Sequence, residues 1–295
     1  MQETCPRCKK DSRIAFKTKD VNRKATKEIF LYRFCPECAL TFLSNVPDNL
    51  DDYYGDEYYC PPRLEKVREV AGKEAYQLSM VTAFVKGGRL LEVGPGFGIF
   101  AYQAKMAGFE VEVIEKEKKC CEFLSNKIGV KAIQSDSPHT ALDQIKNCDV
   151  IALWHVLEHL PAPWEFIDKA AQKLNSQGLL LIATPNPAAF QFRLQGALWP
   201  HVDAPRHLWL IPYELLVKHL YGLGLKPVLV SFNDKGARSW NRFGWQRYLM
   251  NRFSHKSFQI IAYALGFMLS LVMAFFDRRA GRSSAYTVIF RKDFV

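Results

Sequence analysis

From Leu64 onward the apolar positions alternate between the 3.6-residue spacing of helices and short runs rich in branched residues. An amphipathic stretch predicts a helix over 63–86. Apolar runs predict strands near 89–93, 110–114, 131–134 and 149–153, the last followed by a helix over 163–174. The run from Gly178 to Thr184 is apolar at every position but its ends, as a strand covered on both faces must be. A helix over 212–223 and strands at 226–232 and 285–291 complete the pattern. Seven strands alternating mostly with helices predict an α/β domain on one largely parallel sheet, its final strand antiparallel. Three stretches break the rhythm. Residues 1–45 read as a small separate unit, 46–63 as an acidic, tyrosine-rich linker or lid, and 233–284 as an insertion before the last strand. The alternating domain itself comprises 64–232 and 285–295.

The first of the seven strands ends Leu90-Leu91-Glu92-Val93, and Gly94-Pro95-Gly96-Phe97-Gly98 leads into the next helix. Glycines at such a turn let backbone approach a ligand, and the helix N-terminus offers free N–H groups. The second strand ends in Glu115, where an acid can take ribose hydroxyls. A dinucleotide fingerprint wants glycine where Ile99 stands. Glu92, two residues before the first glycine, would be poor company for a pyrophosphate and good company for the ammonium of an amino-acid ligand. The pattern resembles motif I of class I S-adenosylmethionine (SAM) methyltransferases, and the strand order fits their Rossmann-like seven-stranded sheet.

In open α/β sheets ligands bind beyond the C-terminal ends of the strands. After the fourth strand the chain reads Trp154-His155-Val156-Leu157-Glu158-His159-Leu160, and after the fifth Thr184-Pro185-Asn186-Pro187. Asp203-Ala204-Pro205-Arg206-His207-Leu208 then precedes a helix opening Pro212-Tyr213-Glu214. These boxes resemble one group of class I methyltransferases, similar to enzymes of surface-polysaccharide and nucleotide-sugar pathways. Many of that group carry an N-terminal four-cysteine zinc unit and a tyrosine-rich linker. The resemblance spans about residues 1–230 and resumes at 285–292. It implies that Glu92, Gly94, Gly96 and Gly98, with Phe97 in the same loop, cradle the methionine part of SAM. Glu115 would take the ribose, Asp136 would approach the adenine amine, and Trp154 and His155 would line the methionine side. The implied reaction is methyl transfer to a saccharide or sugar-linked intermediate. The alternatives are an O-methyltransferase of a lipid quinol and an RNA methyltransferase.

Transfer to an oxygen or an acidic carbon requires removal of a proton, and histidine suits that work near neutral pH. His207 is the first candidate, on a loop expected to overhang the site, with His159, His155 and His201 behind it. Some quinol O-methyltransferases with a similar box hold a divalent cation with acids and a histidine there. Glu158 and His159 match only part of that set, with one acid instead of two.

Cys5-Pro6-Arg7-Cys8 and Cys35-Pro36-Glu37-Cys38 are paired C-x-x-C knuckles, a spacing that points to a closed, structural zinc site. Cys60, Cys120, Cys121 and Cys148 lack ligand spacing and read as packing residues. The polar, basic N-terminus argues against a signal peptide and for a cytoplasmic, reduced protein. A net charge of +10 calls for a polyanionic partner, and much of it lies between Lys235 and Arg282. Nucleic acid is disfavoured, because the box after the fourth strand is not the N-P-P-[YF] of base-flipping amino-group methyltransferases. Within the basic stretch, Phe258 to Phe276 is almost wholly apolar, about nineteen residues and close to the length of a bilayer span. The strands on either side belong to one sheet, so the chain must return to the side it left. The expectation is an in-plane or re-entrant helix on the inner face of the cell membrane, with Trp240, Phe243, Trp245 and Tyr248 as interfacial anchors.

Overall fold

The structure is a computed structural model that describes residues 3–54, 60–279 and 281–293. The middle of the acidic, tyrosine-rich stretch, residues 55–59, lies outside the described residues.

The N-terminal unit contributes β1 (Arg13–Thr18), β2 (Phe30–Phe34) and β3 (Thr41–Leu43), paired antiparallel in that order. The larger domain supplies β4 (Arg89–Val93), β5 (Glu110–Glu115), β6 (Lys131–Gln134), β7 (Cys148–Trp154), β8 (Leu174–Pro185), β9 (Trp209–Leu210), β10 (Leu225–Ser231) and β11 (Ala285–Lys292). Seven of these form one sheet in the order β10-β11-β8-β7-β4-β5-β6. Strands β4 to β8 run parallel, and β11 is antiparallel to both its neighbours. The seven-stranded α/β sheet with an antiparallel final strand is therefore present as expected.

Alternation along each central strand feeds two cores. Leu91, Val93, Ile151, Leu153, Leu180 and Ile182 face one side, while Leu90, Val150, Ala152, Leu179 and Leu181 face the other. Helices cover both faces. In chain order they are α1 (Leu64–Lys73), α2 (Tyr76–Thr82), α3 (Ile99–Met106), α4 (Lys118–Phe123), α5 (Pro138–Ala141), α6 (Pro163–Lys173), α7 (Phe190–Gln195) and α8 (Tyr213–Tyr221). The single helix expected over 63–86 is two, because the chain leaves helical geometry at Glu74 (φ −98°, ψ 17°), shortly after Gly72. Glycine is the residue that helices hold least firmly, proline apart.

The N-terminal unit does not stand apart. Strand β9 closes its sheet, pairing Thr41 with Leu210 and Phe42 with Trp209. Phe30, Tyr32, Leu40 and Phe42 belong to the same core as Leu153 and Ile182 of the large sheet. A unit this small buries too little on its own, and its three-residue edge strand needs a partner.

The insertion is a helical hairpin of α9 (Lys235–Met250) and α10 (Lys256–Asp277). Asp234 caps α9 by accepting from the Ala237 amide at 2.9 Å. The α9 residues Ala237, Asn241, Gly244 and Trp245 are buried, whereas α10 buries only Ala262, Gly266, Ser270 and Asp277. A Cβ on Gly266 would meet the Gln246 Cα at 2.5 Å, so α10 lies directly on the α9 backbone. The hairpin is pinned at its base. Asp277 accepts from the Trp245 indole N–H at 2.8 Å, and Asn241 accepts from the Ser284 amide at 2.7 Å where β11 begins. Trp245 is therefore a core residue of the hairpin and not an interfacial anchor.

Candidate active site

The glycine loop turns from β4 into α3 with all three glycines left-handed: φ is 62° at Gly94, 55° at Gly96 and 70° at Gly98. A Cβ on Gly98 would strike the Leu124 side chain at 2.4 Å, whereas one on Gly96 would meet nothing. The space beside Gly96 opens into a cavity of about 500 Å³. Gly94, Gly96, Phe97, Glu115, Asp136, His155 and His159 line it, together with Asp51 and Tyr54 of the linker. Glu115 is fixed at the rim, accepting from the Gly96 amide at 3.0 Å and the Glu117 amide at 2.9 Å.

Three of the residues expected around a nucleotide stand behind this wall. Glu92 is fully buried and its Oε2 has no hydrogen-bond partner. Burial pushes its carboxyl up to about 8 against the bond from the Ala101 amide. A cation brought to the floor of the cavity would favour its ionised form, and the ammonium of SAM is such a cation. Trp154 packs edge-on against Phe100 at 5.5 Å instead of lining the space. Gly98 is taken up in packing.

A second chamber, of about 820 Å³, adjoins the first and shares His155 and His159 with it. His201, His207, Asp203, Trp240, Phe243 and Arg247 line the remainder, with Asn22 and Arg23 from the N-terminal unit. His155 sits at the junction with φ 56°, a conformation uncommon outside glycine and a mark of functional sites. Its ring stacks on Trp240 at 3.8 Å, and Trp240 also stacks on His201 at 4.4 Å. Trp240, expected as an interfacial anchor, is turned inward by α9. Asn22, Arg23, Trp240 and Arg247 carry no sequence signal as site residues, because they lie far apart in sequence and share no motif.

The hydrogen bonds fix the histidine tautomers. The Nδ1 of His159 lies 2.9 Å from the Arg206 carbonyl, and the Nδ1 of His207 lies 2.8 Å from the His201 carbonyl. A carbonyl only accepts, so each Nδ1 is a donor and Nε2 is the ring atom left for proton transfer. The rings meet edge to face at 4.7 Å. Burial, reinforced by the neighbouring His207, holds His159 down to about 4, so it is a neutral base at physiological pH. His201 is held lower, to about 3, chiefly by burial. Its Nε2 donates to the Trp240 carbonyl at 3.0 Å, which removes that atom from proton transfer. Below the rings Glu158 is fully buried. Burial works to raise it, but His155, with its Nδ1 3.6 Å from the carboxylate, and the nearby His159 and His207 hold it low, at about 2. Glu158, His159 and His207 bring one ligand atom each within 4.8 Å, a set that can hold a cation.

His207 does not overhang the mouth. The loop that carries it is a buried wall, locked by Arg206. The Arg206 guanidinium donates to Asp20 at 2.8 Å, to both carboxylate oxygens of Asp203 at 2.8 and 2.9 Å, and to the Tyr53 carbonyl at 2.8 Å. These partners come from the N-terminal unit, the loop itself and the linker.

Near the N-terminus, Cys5 and Cys38 place their sulfurs 3.6 Å apart, and Cys8 and Cys35 theirs 3.5 Å apart. All four lie within 4.8 Å of one another and none is in a disulfide. Each knuckle ends in a left-handed residue, Lys9 (φ 61°) and Ala39 (φ 58°), the same turn made twice. Tetrahedral zinc thiolates would stand about 3.8 Å apart, so the donor set fits zinc.

A family profile described as a methyltransferase domain matches residues 65–230, more than half of the chain. The chain belongs to the class I SAM-dependent methyltransferases. Its fold is shared with a SAM-dependent methyltransferase from Archaeoglobus fulgidus (TM-score 0.52, 20% identity, 77% of this chain and 97% of that one). It is also shared with coclaurine N-methyltransferase bound to N-methylheliamine and SAH (TM-score 0.52, 14% identity, 84% of each chain). Among sequence relatives, this methyltransferase is 29% identical over 144 residues to the ubiquinone biosynthesis O-methyltransferase of Bordetella avium, covering 46% of this chain and 55% of that protein. It is 24% identical over 181 residues to the protein of the same name from Rhodopseudomonas palustris, covering 56% and 69%. The chain thus spans about half the length of the first of these relatives.

Arg206→Ala would leave Asp20 and Asp203 without their counter-charge in a buried wall. The expected loss is about 3–5 kcal/mol of unfolding free energy, read from urea denaturation. A loss below about 1 kcal/mol would mean that the clamp is not structural.

Proposed function

We propose that this methyltransferase moves the SAM methyl group onto a hydroxyl of a ring-bearing, lipid-borne acceptor of the quinol class. The observation that carries the reading is the shared wall. The glycine-loop cavity suits SAM, and the neighbouring chamber meets it at His155 and His159. Phe243 and the edge of Trp240 give a ring an apolar lining, while the imidazoles of His159 and His207 offer it bases. The relatives named for ubiquinone biosynthesis support a quinol acceptor over the saccharide expected from the sequence boxes.

In this reading the S–CH3 bond breaks as the O–CH3 bond forms in line with it. The acceptor hydroxyl gives its proton to an imidazole Nε2, and His207 is the preferred base. Because the donor is already activated, the protein's work is to orient the pair, exclude water and remove that proton. His207→Gln is expected to lower kcat by about 10²–10⁴-fold while SAM affinity stays unchanged. Unchanged turnover would remove His207 from the reaction. A second reading has Glu158, His159 and His207 hold a divalent cation that acidifies the hydroxyl. Activity lost on chelation and restored by magnesium would favour it, and activity that survives chelation would favour the base.

The four cysteines support a structural zinc that braces the N-terminal unit. Metal analysis of the purified protein is expected to return about one zinc per chain. A protein equally stable and free of metal would contradict this.

A further inference from the structure

Among the described residues, helix α10 carries the densest run of exposed large apolar side chains. It is long and apolar enough to cross a membrane by length and composition, yet only 17% of its most apolar window is buried. That separates it from the core helix of a soluble domain, which would be mostly buried. Ile260 is 71% exposed, Val272 69% and Phe275 70%, with Phe258, Leu265, Met268 and Leu271 exposed beside them. Soluble surfaces seldom leave so many large apolar side chains contiguous.

The charge around this face has one sign. Residues 235–282 hold nine lysines and arginines against one acid, a net +8 of the chain's +10. The one acid, Asp277, is buried. Arg252 and Lys256 are exposed at one end of α10, and Arg278 and Arg279 at the other. A second copy of this chain would bring like charge against like charge, whereas an anionic lipid surface offers the opposite charge and an apolar interior together.

A transverse orientation is ruled out by the neighbour. Helix α9 lies along α10 with its backbone against Gly266, and it carries exposed Arg238 and Arg242. Both ends of the hairpin join strands β10 and β11 of one sheet. A span would drag α9 and its charges into hydrocarbon.

We propose that α10 lies in the plane of an anionic bilayer surface and is the membrane-docking element of the protein. Helix α9 is then a partition. One of its sides carries α10, and the other presents Ser239, Trp240, Phe243 and Arg247 to the second chamber. The chamber is one helix, roughly 10 Å, from the lipid surface. A lipid-borne acceptor could pass from leaflet to chamber without crossing water. This last step rests on the proposed acceptor; the docking itself does not.

The test is flotation of the full chain with vesicles of phosphatidylglycerol and phosphatidylcholine, and with phosphatidylcholine alone. The wild type is expected to float with the anionic vesicles at low salt and to be released in part at high salt. The double variant Ile260→Glu, Val272→Glu is expected to float at least about fivefold less while binding SAM normally, which shows that its fold is intact. A wild type that stays at the bottom with all vesicles overturns the proposal, as do variants that float like the wild type. A wild type that fails to float and sediments as a dimer, with the variants monomeric, would assign α10 to a second copy of the chain. Flotation does not depend on the acceptor, so a failed quinol assay leaves the docking standing, and failed flotation leaves the quinol reading to its own test.

Discussion

The second chamber of this methyltransferase depends on a buried guanidinium. Arg206 ties the histidine loop to Asp20 in the N-terminal unit, to Asp203 within the loop and to the Tyr53 carbonyl in the linker. Burying such a charge is costly unless its donors are matched, and here two carboxylates and a carbonyl match them. The bond from His159 Nδ1 ends on the carbonyl of the same residue. Arg206 thus orders both the wall and one of the two rings that face the chamber. It also ties the N-terminal unit to the chamber, because Asn22 and Arg23 reach the chamber only while that unit is docked.

Much of the fold was legible in the sequence because a parallel sheet covered on both faces writes itself as apolar runs between helical patterns. The glycine loop was legible because left-handed backbone beside a ligand leaves few choices of residue. The chamber was harder to read. Its histidines stood in short boxes, but Asn22, Trp240 and Arg247 come together only through tertiary packing. Trp240 and Trp245 illustrate the difficulty. Aromatics among arginines read as interfacial anchors, yet an α-helix turns residues 240 and 245 about 140° apart, and each finds its own partner within the fold. The joining of residues 1–45 to the large domain is hidden for a similar reason, since the two-residue strand β9 that completes their sheet gives almost no signal of its own.

The two cavities divide the chemistry. One is ruled by backbone and carboxylates, the other by imidazoles, indole and arginine, and they meet at His155 and His159. Holding His155 in a left-handed conformation is a local cost that the surrounding packing must offset. Its ring gains a stack with Trp240 from the insertion, so the hairpin that faces outward through α10 also shapes the inner wall through α9.

The central claim is that the two cavities are the donor and acceptor halves of one active site. A crystal structure with S-adenosylhomocysteine bound tests it most directly. The expected result has the ribose at Glu115 and the sulfur at the junction between His155 and His159, its former methyl direction pointing into the chamber of His207 and Trp240. A sulfur aimed away from that chamber, or a ligand seated outside the glycine-loop cavity, would contradict it.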